Sequence, residues 1–201
     1  MRAMMARTGW CAAALALLIS TQTFAGALFN NPNAGGPPPL YTGSTPFITG
    51  TLSGYVDYAV FNPGQFPYPG YTPTAGELTY AYQIFVTGSA PVSSFELVLT
   101  DPADHIGSFN DLGGVAPNSA TLNPLVSAKW TFPGVPNGSM SQGLAFSSPR
   151  LPQSMFATVV DTGQTSTVIP LPTPGPLGIP EPATLGLAAM GCLMLGLRRR
   201  R

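Results

Sequence analysis

The sequence predicts an all-β fold for the central part of this 201-residue chain. Two observations lead to that prediction. Apolar and polar residues alternate with a period of two in several short segments, and Gly and Pro residues stand between those segments. In addition, no helical periodicity appears outside the two apolar ends of the chain.

The strongest alternation runs from Leu78 to Val86 and predicts a strand with one buried face. Shorter alternations predict further strands at Val56–Val60, Phe95–Leu99, Ala128–Phe132, Leu144–Phe146 and Ala157–Val159. Roughly seven to nine short strands with turn signals at this spacing indicate a single β-sandwich, of which an immunoglobulin-like arrangement is one form.

The β-sandwich domain is predicted to occupy residues 41–169. Residues 28–40 are rich in Asn, Pro and Gly and predict a flexible leader. Residues 170–179 contain four prolines and predict an extended, proline-rich stalk.

The amino-terminal residues 1–27 have the three parts of a secretory signal peptide. Two arginines precede an apolar run from Trp10 to Ile19, and small residues follow it. Cleavage after Ala27 is favoured, and cleavage after Ala25 is the alternative. The chain is therefore predicted to be exported.

Both cysteines, Cys11 and Cys192, lie in the terminal segments, so the predicted domain has neither a disulfide nor a thiol nucleophile. Between Leu28 and Ile179 the chain has seven acidic residues and two basic ones, a net charge of −5. An acidic domain that is poor in lysine argues against nucleic acid as a partner, because phosphates require basic patches.

The carboxyl-terminal residues 180–201 combine a proline-flanked glutamate, an apolar run at 183–197 and a block of arginines. As a helix the run would be roughly 22 Å long, which is short for a bilayer core of about 30 Å. It predicts a short transmembrane helix, accommodated by local thinning and by snorkelling arginines. The basic stop, formed by Arg198, Arg199, Arg200 and Arg201, is expected to stay cytoplasmic and to leave the tripeptide on the outer side.

This tail resembles a PEP-CTERM sorting signal, in which Pro-Glu-Pro precedes a short hydrophobic helix and a basic cluster. The motif corresponds to Pro180, Glu181 and Pro182 in this sequence. The resemblance implies a Gram-negative bacterium and recognition by an exosortase, an integral-membrane enzyme, after a transient stay in the inner membrane. It further implies that the tail is removed and that the protein is released or attached outside the cell.

One cluster of ligand-type side chains lies in the middle of the chain, at Asp101, Asp104, His105 and Asp111. The three carboxylates are ligands that Ca²⁺ prefers, so a calcium site is one interpretation. The spacing matches no ion-loop motif, and turn residues of this type bond their own backbone. His105 has neither a nucleophile elbow nor further zinc ligands around it in the sequence. We therefore predict no catalytic residue and no cofactor.

Six aromatic residues fall between Tyr55 and Tyr71. A row of exposed rings can stack on sugar faces, and Phe66, Tyr68 and Tyr71 are the candidates for such carbohydrate contact. The alternative is that Tyr58, in phase with Val56 and Val60, packs in the core and that the prolines order the loop that carries the other rings.

These observations favour a non-enzymatic exported protein with a structural or adhesive role at the cell surface or in the extracellular matrix. One alternative is a module that binds carbohydrate, in particular exopolysaccharide. A second alternative is an exported hydrolase, because seven acids allow many carboxylate pairs although the sequence singles out none.

Overall fold

Ten β-strands make up the part of the chain that the computed structural model describes, residues 38–110, 113–163 and 165–176. The strands are β1 (Tyr41–Thr49), β2 (Leu52–Phe61), β3 (Leu78–Val86), β4 (Val92–Val98), β5 (Asp104–Phe109), β6 (Ser119–Asn123), β7 (Ser127–Val135), β8 (Gly143–Ser148), β9 (Pro152–Asp161) and β10 (Ser166–Pro174). These three ranges contain no α-helix, and hence none that is long and apolar enough to cross a membrane.

The strands form two antiparallel sheets of five strands each. The first sheet has the order β1-β2-β3-β8-β5, and the second has the order β10-β9-β4-β7-β6. Apolar side chains from both sheets form one core between them. The predicted all-β sandwich is therefore confirmed.

Large aromatic rings occupy the centre of this core. Tyr82, Phe95, Trp130 and Phe146 are each fully buried, with ring centroids 5.9–6.4 Å apart. The indole Nε1 of Trp130 donates a hydrogen bond to the carbonyl of Gly107 at 2.9 Å, so burial of the ring leaves no unpaired donor. These rings join β3, β4, β7 and β8 across the two sheets.

Six of the ten strands, β2, β3, β4, β7, β8 and β9, coincide with the predicted alternations. The expectation that β3 has only one buried face is wrong. Thr79, Ala81 and Gln83, on the outer face of the strand, are as buried as the core residues. Rings from the loop between β2 and β3 pack with Ala81, as described below, and Gln83 donates to the carbonyl of Ser141.

The predicted stalk at 170–179 is also corrected, because residues 170–174 form the end of β10. The carbonyls of Pro170 and Pro172 accept hydrogen bonds from Thr45 Oγ1 and Tyr82 Oη of the first sheet. The proline positions therefore turn their backbone away from β9, so the missing N–H groups remove no ladder bond. Proline is tolerated on this edge strand for that reason, and it deprives the edge of donors for pairing with another chain. The domain ends at Pro174 rather than at Ile169.

Candidate functional site

The three rings predicted to contact carbohydrate lie in a second hydrophobic cluster, on the outer face of the first sheet. Tyr68 and Tyr71 are 4% and 8% exposed, and Phe66 is partly buried. Phe66 meets both tyrosines, Phe61 and Phe109 edge to face, with centroids 5.1–5.6 Å apart. The prediction of an exposed row of rings is therefore wrong, because the three rings pack against one another and against the first sheet.

A row of small residues explains why the rings are buried. Ala59, Ala81, Ala145 and Gly107 are successive cross-strand partners on β2, β3, β8 and β5. Small side chains leave a shallow groove across the sheet. The aromatic rings of the loop between β2 and β3 pack in this groove. The row of small residues is the feature from which this cluster could have been predicted. These residues form a row only when the strand order is known.

The candidate calcium ligands do not come together as one site. Asp101 forms an ion pair with Arg150 at 3.4 Å, and Asp104 Oδ1 accepts a hydrogen bond from Thr74 Oγ1 at 2.6 Å. Asp111 lies outside the described residues. Within the described ranges no group of three or more His, Cys, Asp or Glu residues is placed to hold a metal ion.

Asp104 instead takes part in a polar group beside the aromatic cluster. The hydroxyl of Tyr71 donates to the backbone carbonyl of His105 and lies 3.0 Å from Ser147 Oγ. Burial raises the pKa of Tyr71 to about 12. Partial burial, and then the neighbouring Asp104, raise the pKa of Glu77 above its usual value. These contacts fix the loop to β5 and β8.

Grooves open to solvent in the described part of the chain include the following two. The first, with a volume of about 260 Å³, lies where the edge strands of the two sheets meet and is lined by Tyr41, Thr45, Tyr58, Gln153, Ser154 and the prolines of β10, among others. Tyr41 and Tyr58 stack there, with centroids 5.9 Å apart, and Tyr41 is 50% exposed. The second groove is larger, at about 480 Å³, and more apolar; Tyr55, Phe85 and Met140 contribute to its lining.

The chain leaves the sandwich next to the strand that pairs with β10. The amide of Gly175 donates to the carbonyl of Leu151 at 2.9 Å, and Pro176 is the last described residue. The predicted sorting residues Pro180, Glu181 and Pro182, the apolar run and the four terminal arginines lie outside the described residues, as does the predicted signal peptide.

Residues 178–201 match a family model described as the PEP-CTERM protein-sorting motif. The chain carries a PEP-CTERM sorting signal. The matched range contains the proline-flanked glutamate, the apolar run and the arginine block, so the resemblance seen in the sequence is confirmed.

The PEP-CTERM motif begins close to the end of the folded domain. Three residues, 177–179, separate the last described residue from Pro180. The corrected end of β10 therefore halves the predicted stalk, and it places the domain directly beside the sorting signal.

Comparison with curated proteins finds no match. Among solved structures, the chain is similar to an uncharacterized protein from Nocardia farcinica whose crystal structure reveals an immunoglobulin-like fold. The two chains are 16% identical with a TM-score of 0.35, and the match covers 57% of this chain and 86% of that one.

Proposed function

We propose that this protein is exported, is held at the inner membrane by its PEP-CTERM tail, and is then processed by an exosortase. The β-sandwich is delivered to the cell surface or the extracellular matrix, where it has a non-enzymatic structural or adhesive role. The observation that carries this proposal is the match of residues 178–201 to the sorting motif.

The non-enzymatic part of the proposal is supported by the partners of three acidic side chains. Asp101 is paired with Arg150, Glu96 is paired with Lys129, and Asp104 is bonded to Thr74. Each of these carboxylates has a partner that accounts for its position in the fold. An extensive core with an additional aromatic cluster suits a domain that must survive outside the cell.

Intact-mass measurement of the protein from exosortase-positive cells tests the sorting proposal. The wild-type product is expected to lack Arg198–Arg201, because the cut precedes the cytoplasmic end. Glu181→Gln is expected to retain the arginines, as is the wild type in a strain without the exosortase. Gly178→Ala is the matched control, since it lies within the matched range but outside the tripeptide. A wild-type product that keeps its arginines in exosortase-positive cells contradicts the proposal.

Carbohydrate binding is the second candidate function. Its site would be the groove lined by Tyr41 and Tyr58 and not the buried rings of the loop between β2 and β3. The stacked pair of Tyr41 and Tyr58 offers an exposed ring face beside the polar groups of Gln153 and Ser154. Ring faces bordered by hydrogen-bonding groups are suited to stacking on sugars.

Electrophoresis of the protein in gels containing the exopolysaccharide of the producing organism tests this candidate. Retardation that is lost on Tyr41→Ala supports it. Phe156→Ala is the matched control, because Phe156 is 60% exposed and does not line the groove. Equal mobility of the wild type with and without polysaccharide rejects it.

A further inference from the structure

The exposed apolar side chains of the sandwich are concentrated at one end. Nine large apolar side chains are exposed in the described part of the chain, and five of them lie at the end where β10 stops: Leu40, Tyr41, Leu125, Val126 and Leu151. We call this the exit end. Scattered single exposed apolar residues are ordinary, but a set gathered at one end indicates a contact surface.

The strand pairings show that these residues share that end. Pro174, the last residue of β10, pairs with Pro152, the first residue of β9, and Leu151 precedes it directly. Val126 precedes β7, and its carbonyl accepts a hydrogen bond from the amide of Leu99, just beyond β4. β4 lies between β9 and β7, and its register with β9 puts Leu99 and Val126 level with Met155. Leu151 therefore lies two strand spacings across and four residues along from Val126, roughly 16 Å away. On the first sheet, the amide of Leu40 bonds to the carbonyl of Val60, which places it near the end of β2.

The length of chain beyond the structure brings this end close to a bilayer. Gly175 is fixed to Leu151, and four Cα-to-Cα steps lead from Pro176 to Pro180. An extended chain covers about 14 Å in four steps. The apolar run of the sorting motif begins directly after the tripeptide, at Ala183. The headgroup layer on each side of a bilayer is only about 5–7 Å thick. Seven steps, or about 24 Å when extended, separate Pro176 from Ala183, so the exit end is within reach of the lipid surface.

Charge at the exit end favours neutral lipid. Asp101 and Arg150 compensate each other there in an ion pair. The remaining acids nearby are Glu77 and Asp104, which lie beside each other. No cluster of basic side chains is present at this end among the described residues. Binding to anionic headgroups would require such a cluster.

We propose that the exit end rests on the membrane interface while the precursor is anchored, with Leu125, Val126 and Leu151 in contact with zwitterionic phospholipid. This inference rests on the proposed anchoring by the PEP-CTERM tail. Contact orients the sandwich with its long axis away from the membrane, and it holds the tripeptide at the depth at which a membrane enzyme works. Leu and Val at the boundary of headgroups and acyl chains gain from burial of their apolar surface.

Fluorescence quenching by brominated lipid tests the proposal on the full chain. Both native cysteines are replaced by serine, and a single cysteine is introduced by Leu151→Cys or Val126→Cys and carries an environment-sensitive fluorophore. Ile48→Cys is the matched control, because Ile48 is 79% exposed and lies at the β1–β2 turn, at the opposite end. The proteins are reconstituted into phosphatidylcholine vesicles with unmodified or brominated acyl chains.

Bromination is expected to quench the Leu151 and Val126 labels at least about twofold more than the Ile48 label. Replacing part of the phosphatidylcholine by phosphatidylglycerol is expected to reduce that difference. Resistance of the carboxyl-terminal tail to added protease reports separately whether the tail is inserted in the bilayer. A protected tail with equal quenching at both ends overturns the lipid contact and leaves the anchoring intact. An unprotected tail overturns both. Quenching that appears only when an exosortase is reconstituted in the same vesicles overturns the proposal that the exit end binds lipid by itself.

Discussion

The ring of Tyr71 lies against Gly107, and a Cβ atom at that glycine would stand 3.0 Å from the ring's Cδ2 atom. Gly107 ends the row of small residues on which the loop between β2 and β3 packs. Because the rings are clamped between this row and Phe109, the loop is part of the folded body and not a mobile recognition surface. The stability of the domain therefore depends on the same rings that look like sugar-binding residues in the sequence.

Tyr68→Ala is expected to lower the free energy of unfolding by about 3 kcal/mol, because truncation of a buried aromatic ring leaves a cavity. Tyr68 stacks on Phe109 with centroids 5.0 Å apart, so Phe109 loses a neighbour as well. Tyr41→Ala, at a half-exposed tyrosine, is the control and is expected to cost less than about 1 kcal/mol. Urea denaturation followed by tryptophan fluorescence measures both values. Equal stability of the two variants contradicts the packing argument.

Gly143→Ala is expected to destabilise the fold by about 1–3 kcal/mol, since overpacking forces neighbouring atoms to move. A Cβ at Gly143 would fall 2.1 Å from Cζ of Phe109. Phe109→Leu shortens the obstructing side chain, so the double variant is expected to be more stable than the sum of the two single changes predicts. A double-mutant cycle of unfolding free energies measures this coupling, and additive costs would show that the ring and the glycine do not interact.

The sequence was sufficient for strands with a clean period of two, and it failed where burial did not follow that period. The alternation predicts a half-buried β3, but on its outer face Ala81 packs in one cluster with Tyr68 and Tyr71, and Gln83 donates to the carbonyl of Ser141. The prolines of β10 predict a stalk. Only the structure shows that the carbonyls of Pro170 and Pro172 face the first sheet and accept hydrogen bonds from the hydroxyls of Thr45 and Tyr82. Both errors concern contacts between distant segments, which local periodicity does not encode. The sorting motif, by contrast, is a contiguous signal and could be identified in full.

Asp57 is fully buried on the outer face of the first sheet. Neither carboxylate oxygen has a hydrogen-bond partner of good geometry. Desolvation raises the pKa of Asp57 to about 6, and the facing Ser44 lowers it only in part. Its cross-strand neighbour Gln83 donates to the carbonyl of Ser141 and has an unpartnered Oε1 atom. A protonated Asp57 offers that oxygen a donor.

Asp57→Asn is expected to stabilise the protein at neutral and alkaline pH. The pKa of a folded acid that is raised from 3.8 to about 6 means that the folded state binds the proton more tightly than the unfolded state. The stability that the bound proton adds is fully present below the pKa that Asp57 has in the unfolded state. It is lost as pH rises through the pKa that Asp57 has in the folded state. A rise of about two pKa units corresponds to about 3 kcal/mol, which is the largest gain expected from asparagine at about pH 8.

Denaturation of wild type and Asp57→Asn at a series of pH values measures that gain. The difference in unfolding free energy is expected to shrink towards zero as pH falls to about 3. Glu96→Gln is the control, because Glu96 lies at the surface in an ion pair with Lys129 and is expected to change stability by less than about 1 kcal/mol. A difference between wild type and Asp57→Asn that does not vary with pH would show that the pKa of Asp57 is the same in the folded and unfolded states.

Tyr82→Phe is expected to loosen β10, the strand that leads to the sorting signal. The Tyr82 hydroxyl is buried and donates to the carbonyl of Pro172, which joins the first sheet to the edge of the second. Removing one partner leaves that carbonyl unsatisfied, at a cost of about 1–3 kcal/mol. Tyr80→Phe is the matched control, because its hydroxyl donates to the carbonyl of Arg150, outside β10, at 2.7 Å.

Hydrogen exchange distinguishes the two variants. Tyr82→Phe is expected to speed exchange at the amides of residues 166–173 that pair with β9, whereas Tyr80→Phe is expected to leave those amides nearly unchanged. Opening of β10 would also lengthen the stretch of chain between the folded domain and the PEP-CTERM motif. Proteolytic cleavage near Leu151 is therefore expected to increase in Tyr82→Phe. Equal exchange in both variants would show that the Tyr82 hydroxyl does not hold the strand, and that β9 alone keeps β10 in place.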